Sequence, residues 1–259
     1  MRSRPSGACV LAESLHARVL HDLWPQLTAS ISWRNLVKEN LRKIAIHAAD
    51  RWLLTHNVNL VIAESRTIQR RLAEDFGIPS EVVYPPPPQR FVSVRRCGDY
   101  IFTVSRLVRD KRIDLLIRAL ADASARHVKA IIAGDGDQRS RLEELAHTLG
   151  VAERVAFSAA STSRRSSITL HGAERSASRR CPEDYGFVTV EAFASRKAVI
   201  TCRDSGGPAE FVKDDVTGVV CETTPASIAI ALARLSDDRA LAERLGANAA
   251  AARRRAALG

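Results

Sequence analysis

In the stretch EDYGFVTVE, Glu183 and Glu191 are separated by seven residues, with a Tyr-Gly pair and an apolar run between them. A helix surface produces such a spacing by accident; the alternative is a site where two carboxylates hold different hydroxyls of one ligand. Upstream, SRLVRDK (105–111) supplies Arg106 and Lys111, and AGDG (133–136) supplies a glycine-rich turn. Arginine presents a planar fork to phosphate oxygens and lysine a compact point charge. The free N–H groups and positive dipole end of a helix beginning near Phe187 would add neutral donors for the same anion.

These residues need elements to position them, and the apolar pattern provides them. From Trp33 to about Leu54, apolar residues at 33, 36, 37, 41, 44 and 48 keep helical spacing. NLVIA (59–63) then predicts a buried strand, Ser65 a helix cap, and Ile68, Leu72 and Phe76 the inner stripe of a short helix ended by Gly77; EVVY follows as a strand. Four prolines at 85–88 cannot join a sheet ladder and favour a stiff connector, which divides the chain into domains at 1–88 and 89–259. Beyond it, YIFTV (100–104), KAIIAG (129–134), AVITC (198–202) and GVVC (218–221) read as strands alternating with helices at 113–120, 142–149, 187–195 and after Pro225. That alternation implies an α/β fold with a parallel sheet covered on both faces, whose ligands bind beyond the carboxyl ends of its strands.

Composition narrows the function classes. Hydrophobic residues at 46% and charged residues at 26% indicate a globular chain, and the opening twenty residues are too interrupted by Glu13, His16 and Arg18 for a signal-peptide core. Five scattered cysteines without a CxxC pair argue for a reducing compartment and against a zinc site or disulfide framework. The net charge of +10 is partly local, since residues 158–181 hold five Arg against one Glu; with 5% aromatics, no nucleic-acid partner is expected. The histidines show no metal-ligand spacing, and DGD (135–137) reads as turn chemistry between a strand and a helix, so no metal is assigned.

VNLVIAESRTIQRRLAEDFGIPSEVVYPP, DYIFTVSRLVRDKRIDLLIRAL, AIIAGDGDQRSRLEELAHTLG and EDYGFVTVEAFASRKAVITCRDSGGPAEFV together resemble the retaining glycosyltransferases of family 4, from about Asp50 to Leu245. The resemblance implies a GT-B fold with a Rossmann-like C-terminal donor-binding domain and a partial N-terminal α/β domain. It implies transfer of a sugar from a UDP- or GDP-sugar, a substrate and not a cofactor, to a saccharide or lipid-linked acceptor with retention, in cell-surface polysaccharide synthesis. It further implies that Glu183 contacts donor sugar hydroxyls, Glu191 takes the ribose diol, and Arg106 and Lys111 clamp the diphosphate. The donor-binding set is completed by Ser105, Gly134, Gly186, Phe187 and Val188. A cytoplasmic location with peripheral contact at the inner membrane face is the matching expectation.

The chain also departs from that pattern. Family members are longer, and here the first domain retains only its later elements, without the glycine-rich loop; the C-terminus stops before a helix that returns to the first domain. An inactive remnant that at most binds a nucleotide, or a basic interaction module, are the rival readings. Between RVAF and EDYG the resemblance calls for a helix and an apolar strand, but SAASTSRRSSITLHGAERSASRRCP has seven Ser, five Arg and scarcely any apolar period. Preserved length with lost pattern is what two compensating reading-frame shifts would leave. If the segment is instead read in its true frame, the sheet is expected to lose a central strand's worth of apolar burial.

Overall fold

The computed structural model describes residues 8–12, 32–85, 98–158, 166–170 and 186–256. They form two compact units that divide between Pro85 and Pro86.

In the first unit, β1 (Ala8–Ala12), β2 (Val58–Ala63) and β3 (Glu81–Val82) form a parallel sheet in that order. The β1 strand, ACVLA, was not expected, and it adds an early element to a unit read as keeping only later ones. Helix α1 (Trp33–His56) precedes β2, and α2 (Arg66–Arg71) follows it, widening into one π turn over Leu72–Phe76. Ser65 caps α2: its hydroxyl accepts the Ile68 amide at 3.2 Å. Gly77 closes the turn at φ +66°, a left-handed conformation glycine adopts without a Cβ clash. Ile68, Leu72 and Phe76 are buried with Val61, Ala63 and Ile78, and the His47 ring of α1 stacks on Phe76 at 4.5 Å. The apolar positions Val37, Leu41 and Ile44 of α1, however, are 53%, 63% and 66% exposed.

The second unit holds β4 (Gly98–Val104), β5 (Ala130–Ala133), β6 (Val155–Ser158), β7 (Ser166–Leu170), β8 (Ala198–Cys202) and β9 (Gly218–Cys221). All neighbours are parallel, in the order β6-β5-β4-β7-β8-β9. Its helices are α3 (Ile113–Leu120), α4 (Arg139–Thr148), α5 (Phe187–Ala194), α6 (Gly207–Phe211), α7 (Pro225–Asp237) and α8 (Arg239–Ala256). The first strand of this sheet is central; the chain winds outward to β6, returns beside β4 as β7, and winds outward the other way. This is the doubly wound order of a dinucleotide-binding sheet, with its switch point between β4 and β7.

Strand β8 shows how both faces are covered. Ala198, Ile200 and Cys202 join the large core with Ile101, Leu116, Leu120, Ile132 and Leu232, whereas Val199 packs with Ala192, Phe193, Val212 and Ala249 on the other side. Alternate residues of a strand point to opposite faces, so one strand seeds two cores. Ahead of β6, Arg154 donates to the carbonyls of Leu120, Ala125 and Val128 at 2.6, 2.9 and 3.1 Å, clasping the connection between α3 and β5. Burial lowers the Arg154 pKa from the usual guanidinium value, and the three carbonyls offset that desolvation.

The patternless stretch supplies a central strand, and the burial of its side chains lies outside what is described. Ser166–Leu170 runs as β7, pairing Gly98, Ile101 and Phe102 of β4 on one side and Ala198, Val199 and Ile200 of β8 on the other. Its Ile and Thr suit a pleated strand, and a central position lets both backbone edges find partners without an alternating apolar pattern. Among the described residues, no helix is long and apolar enough to cross a membrane.

Candidate functional site

Because all strands of the second unit run one way, the loops after β4, β5, β8 and β9 emerge on one carboxyl rim. The loop after β4 carries Ser105, Arg106 and Lys111. It is stitched to the loop after β5 by a ladder that outlasts the strands: the Ser105 amide donates to Ala133 O at 3.0 Å, Leu107 N to Asp135 O at 2.9 Å, and Gln138 N to Leu107 O at 2.9 Å. Gly134, at φ +148°, is what permits this approach. A Cβ there would stand 1.8 Å from Ser105 O, and one on Gly136 would stand 2.4 Å from Leu107 O. The Asp135 carboxylate accepts the Gly136 amide at 2.9 Å and Asp137 accepts from Gln138 Nε2 at 3.0 Å, as turn residues do.

Within the cation loop, residues 109–111 make a single 3-10 turn that ends at Arg112 in a left-handed conformation, φ 47°. Arg106 is exposed, and its guanidinium makes no hydrogen bond or ion pair with any described residue. Lys111 is half-buried. Arg112, which the sequence reading passed over, lends its guanidinium to Asp204 Oδ2 at 3.2 Å, and Thr223 Oγ1 donates to Asp204 Oδ1 at 2.5 Å. Asp204 thus joins the loops after β4, β8 and β9.

Helix α5 presents its amino end to the same rim. Its carboxyl end enters β8 through the three residues Ser195–Lys197, so the helix runs back along the sheet. Gly186, at φ +86°, precedes it, and a Cβ there would meet Pro208 Cγ at 2.7 Å, fixing the helix start against the segment that leaves β8. Gly186 O already accepts the amides of Thr189 and Val190 at 2.9 and 3.4 Å. The amides of Phe187 and Val188 therefore lie ahead of the first intrahelical acceptor, as the leading amides of a helix must. Glu191 lies one turn along, on the face it shares with Phe187 and Val188, and is half-buried.

The sequence-derived residues thus gather in two groups. Ser105, Arg106, Lys111 and Gly134 belong to the stitched loops; Gly186, Phe187, Val188 and Glu191 belong to the start of α5. Glu183, the remaining candidate, lies outside the described residues, as do Arg164, Arg165, Arg179 and Arg180 of the arginine-rich stretch. Both groups touch the 203–208 segment, one through Arg112 and the other through Gly186. Within that segment Gly206 sits at φ 73°. Beneath the rim, the paired Cys202 and Cys221 bring their sulfurs to 3.8 Å, and the hydrogen bond between them together with burial pushes the Cys202 thiol pKa up.

A doubly wound sheet with cations after its first strand and a helix start after its fourth defines a Rossmann-like unit, and the chain's fold class is α/β of the GT-B type. Residues 90–252, more than half of the chain, match the family described as glycosyl transferases group 1, and the chain belongs to that family. An uncharacterized glycosyltransferase of Methanocaldococcus jannaschii is 29% identical over 226 residues, 79% of this chain and 57% of that protein. Among solved structures, Anabaena HepE in complex with UDP and glucose superposes with a TM-score of 0.67 at 22% identity, over 81% of this chain and 62% of that one. Sucrose-phosphate synthase from Thermosynechococcus elongatus gives 0.71 at 19% identity, over 95% and 63%. The chain spans little more than half the length of the archaeal relative.

Proposed function

We propose that the chain transfers a sugar from a nucleotide-diphospho-sugar to an acceptor hydroxyl with retention of configuration, in the assembly of a cell-surface polysaccharide. The observation that carries this reading is the cationic loop at the switch point: Arg106, whose guanidinium has no partner among the described residues, and Lys111 extend past the carboxyl end of β4. When the donor's glycosidic C–O bond breaks, its electron pair leaves with the terminal phosphate oxygen. Charge accumulates there in the transition state, so cations fixed at that point lower the barrier more than they stabilise bound donor. The amides of Phe187 and Val188 and the α5 dipole add to the same stabilisation. Glu191 accepts from the ribose diol and Glu183 from the sugar. Attack by the acceptor oxygen on the face the nucleotide leaves gives retention, the acceptor proton passing to the departing phosphate.

On this reading UDP or GDP supplies the nucleotide, the acceptor is a saccharide or lipid-linked saccharide, no metal or cofactor is needed, and the protein works at the cytoplasmic membrane face. Thermal melts with UDP, GDP and their sugars provide the test, because a ligand that binds only the folded state raises Tm. One of these ligands is expected to shift Tm, and Arg106→Ala is expected to weaken its binding about tenfold, the effect of one charge-assisted phosphate contact worth ~1.4 kcal/mol. Sugar transfer that disappears in Glu183→Ala completes the assignment. Protection without transfer points to a binding remnant, and no protection by any of them refutes the reading.

A further inference from the structure

Arg112 and Asp204 lie 92 residues apart in sequence yet form an ion pair at the carboxyl rim. Between their parent strands, β4 and β8, lies β7, so the pair spans the strand end beside the switch point. We propose that Arg112–Asp204 is the positioning element of the donor site, holding the Arg106–Lys111 loop in register with the amino end of α5; this rests on the donor-site reading above.

The connections on each side are short. Arg112 directly follows Lys111 and ends its 3-10 turn, with the Arg112 amide donating to Arg109 O at 3.2 Å. Asp204 is held from its other oxygen by Thr223, so its carboxylate has a second anchor besides Arg112. Four residues beyond Asp204, Pro208 meets Gly186, the residue that starts α5. A displacement of the cation loop is therefore resisted by the same segment that fixes the helix start. The Arg112 side chain is 12% exposed and Asp204 50% exposed, which puts the pair at the edge of the rim and not in the core. Its geometry also carries a backbone penalty: Arg112 adopts φ 47°, where a side chain bearing a Cβ is strained and glycine is not. The side chain at this strained position is the one that holds Asp204.

That conflict supplies a test in which fold and function move oppositely. Isothermal titration with UDP and GDP, thermal melts, and amide exchange over 106–111 are compared for wild type, Arg112→Gly, Asp204→Asn and the double variant. Arg112→Gly is expected to keep or raise Tm by relieving the left-handed strain, while nucleotide affinity falls three- to tenfold and exchange over 106–111 accelerates. Asp204→Asn is expected to give the same loss, the double variant no more than the larger single loss, and Arg112→Lys a partial recovery. Variants that bind nucleotide as wild type does, or lose affinity only in step with Tm, overturn the positioning role and leave the donor site standing. A wild-type chain that binds neither nucleotide overturns the donor-site reading and this inference with it.

Discussion

Helices α1 and α3 are both built on an apolar stripe of helical period, yet the 24-residue α1 turns Val37, Leu41 and Ile44 outward while the eight-residue α3 buries Ile113, Leu116, Ile117 and Leu120. The difference lies in what each helix finds to cover it. Helix α3 lies in a unit with a six-stranded sheet and neighbouring helices whose core runs through Leu120, Ile132 and Leu232; among the described residues, the unit of α1 has a three-stranded sheet and a core of six buried apolar residues. Periodicity specifies that a helix forms. Burial depends on the partner surface, and it is burial that supplies most of the stabilisation.

The comparison breaks most sharply at two glycines with positive φ. Gly134→Ala drives a methyl into Ser105 O, with no flexible side chain to yield, and is expected to destabilise the second unit by ~3–5 kcal/mol or prevent its folding. Gly77→Ala in the first unit meets nothing closer than Arg51 Nη2 at 4.0 Å and bears only the left-handed penalty, ~1 kcal/mol. Urea titrations check the pair. All three tryptophans, at positions 24, 33 and 52, precede Pro85, so their emission follows the first unit while far-UV circular dichroism follows the whole chain.

A smaller contrast is expected on the two helices themselves. Ile117→Ala, at a fully buried position, should lower stability by ~2–5 kcal/mol, whereas Ile44→Ala, 66% exposed, should stay within about 0.5 kcal/mol. An Ile44 effect as large as that of Ile117 would mean that α1 is covered in solution. The smallest effect concerns pH. Asp122 caps the turn at 123–125, and hydrogen bonds from the Ser124 amide and hydroxyl hold its carboxyl below the usual aspartate value. A depressed folded-state pKa contributes stability that is present above the unfolded value, about 3.9, and lost as pH falls through the folded one. Asp122→Asn should remove that increment of acid sensitivity, read as a flatter Tm profile below pH 4.

Much of this molecule is legible in its sequence, and the exceptions share a cause. AVITC and GVVC are strands from end to end, Gly77 and Gly150 stop helical segments with left-handed backbones, and Ser65 caps as its type suggests. All of these are decided within a few residues. The rim loop at Ser105–Lys111 was found because the strand before it was clear. By contrast β7 is sustained by backbone pairing on both edges and β1 by pairing with a strand fifty residues on. The Arg112–Asp204 tie and the closeness of Gly134 to Ser105 exist only after the sheet has formed. Long-range partners leave no local signature.

The one-way sheet has a practical corollary at its far end. Return connections such as Arg126–Lys129 ahead of β5 and Lys213–Thr217 ahead of β9 come out opposite the loops that carry Arg106 and Lys111. A biotin attached through Arg126→Cys would tether the protein to a sensor chip with its carboxyl rim turned toward the flowing buffer. Immobilisation there is expected to leave titrations with UDP indistinguishable from those in free solution.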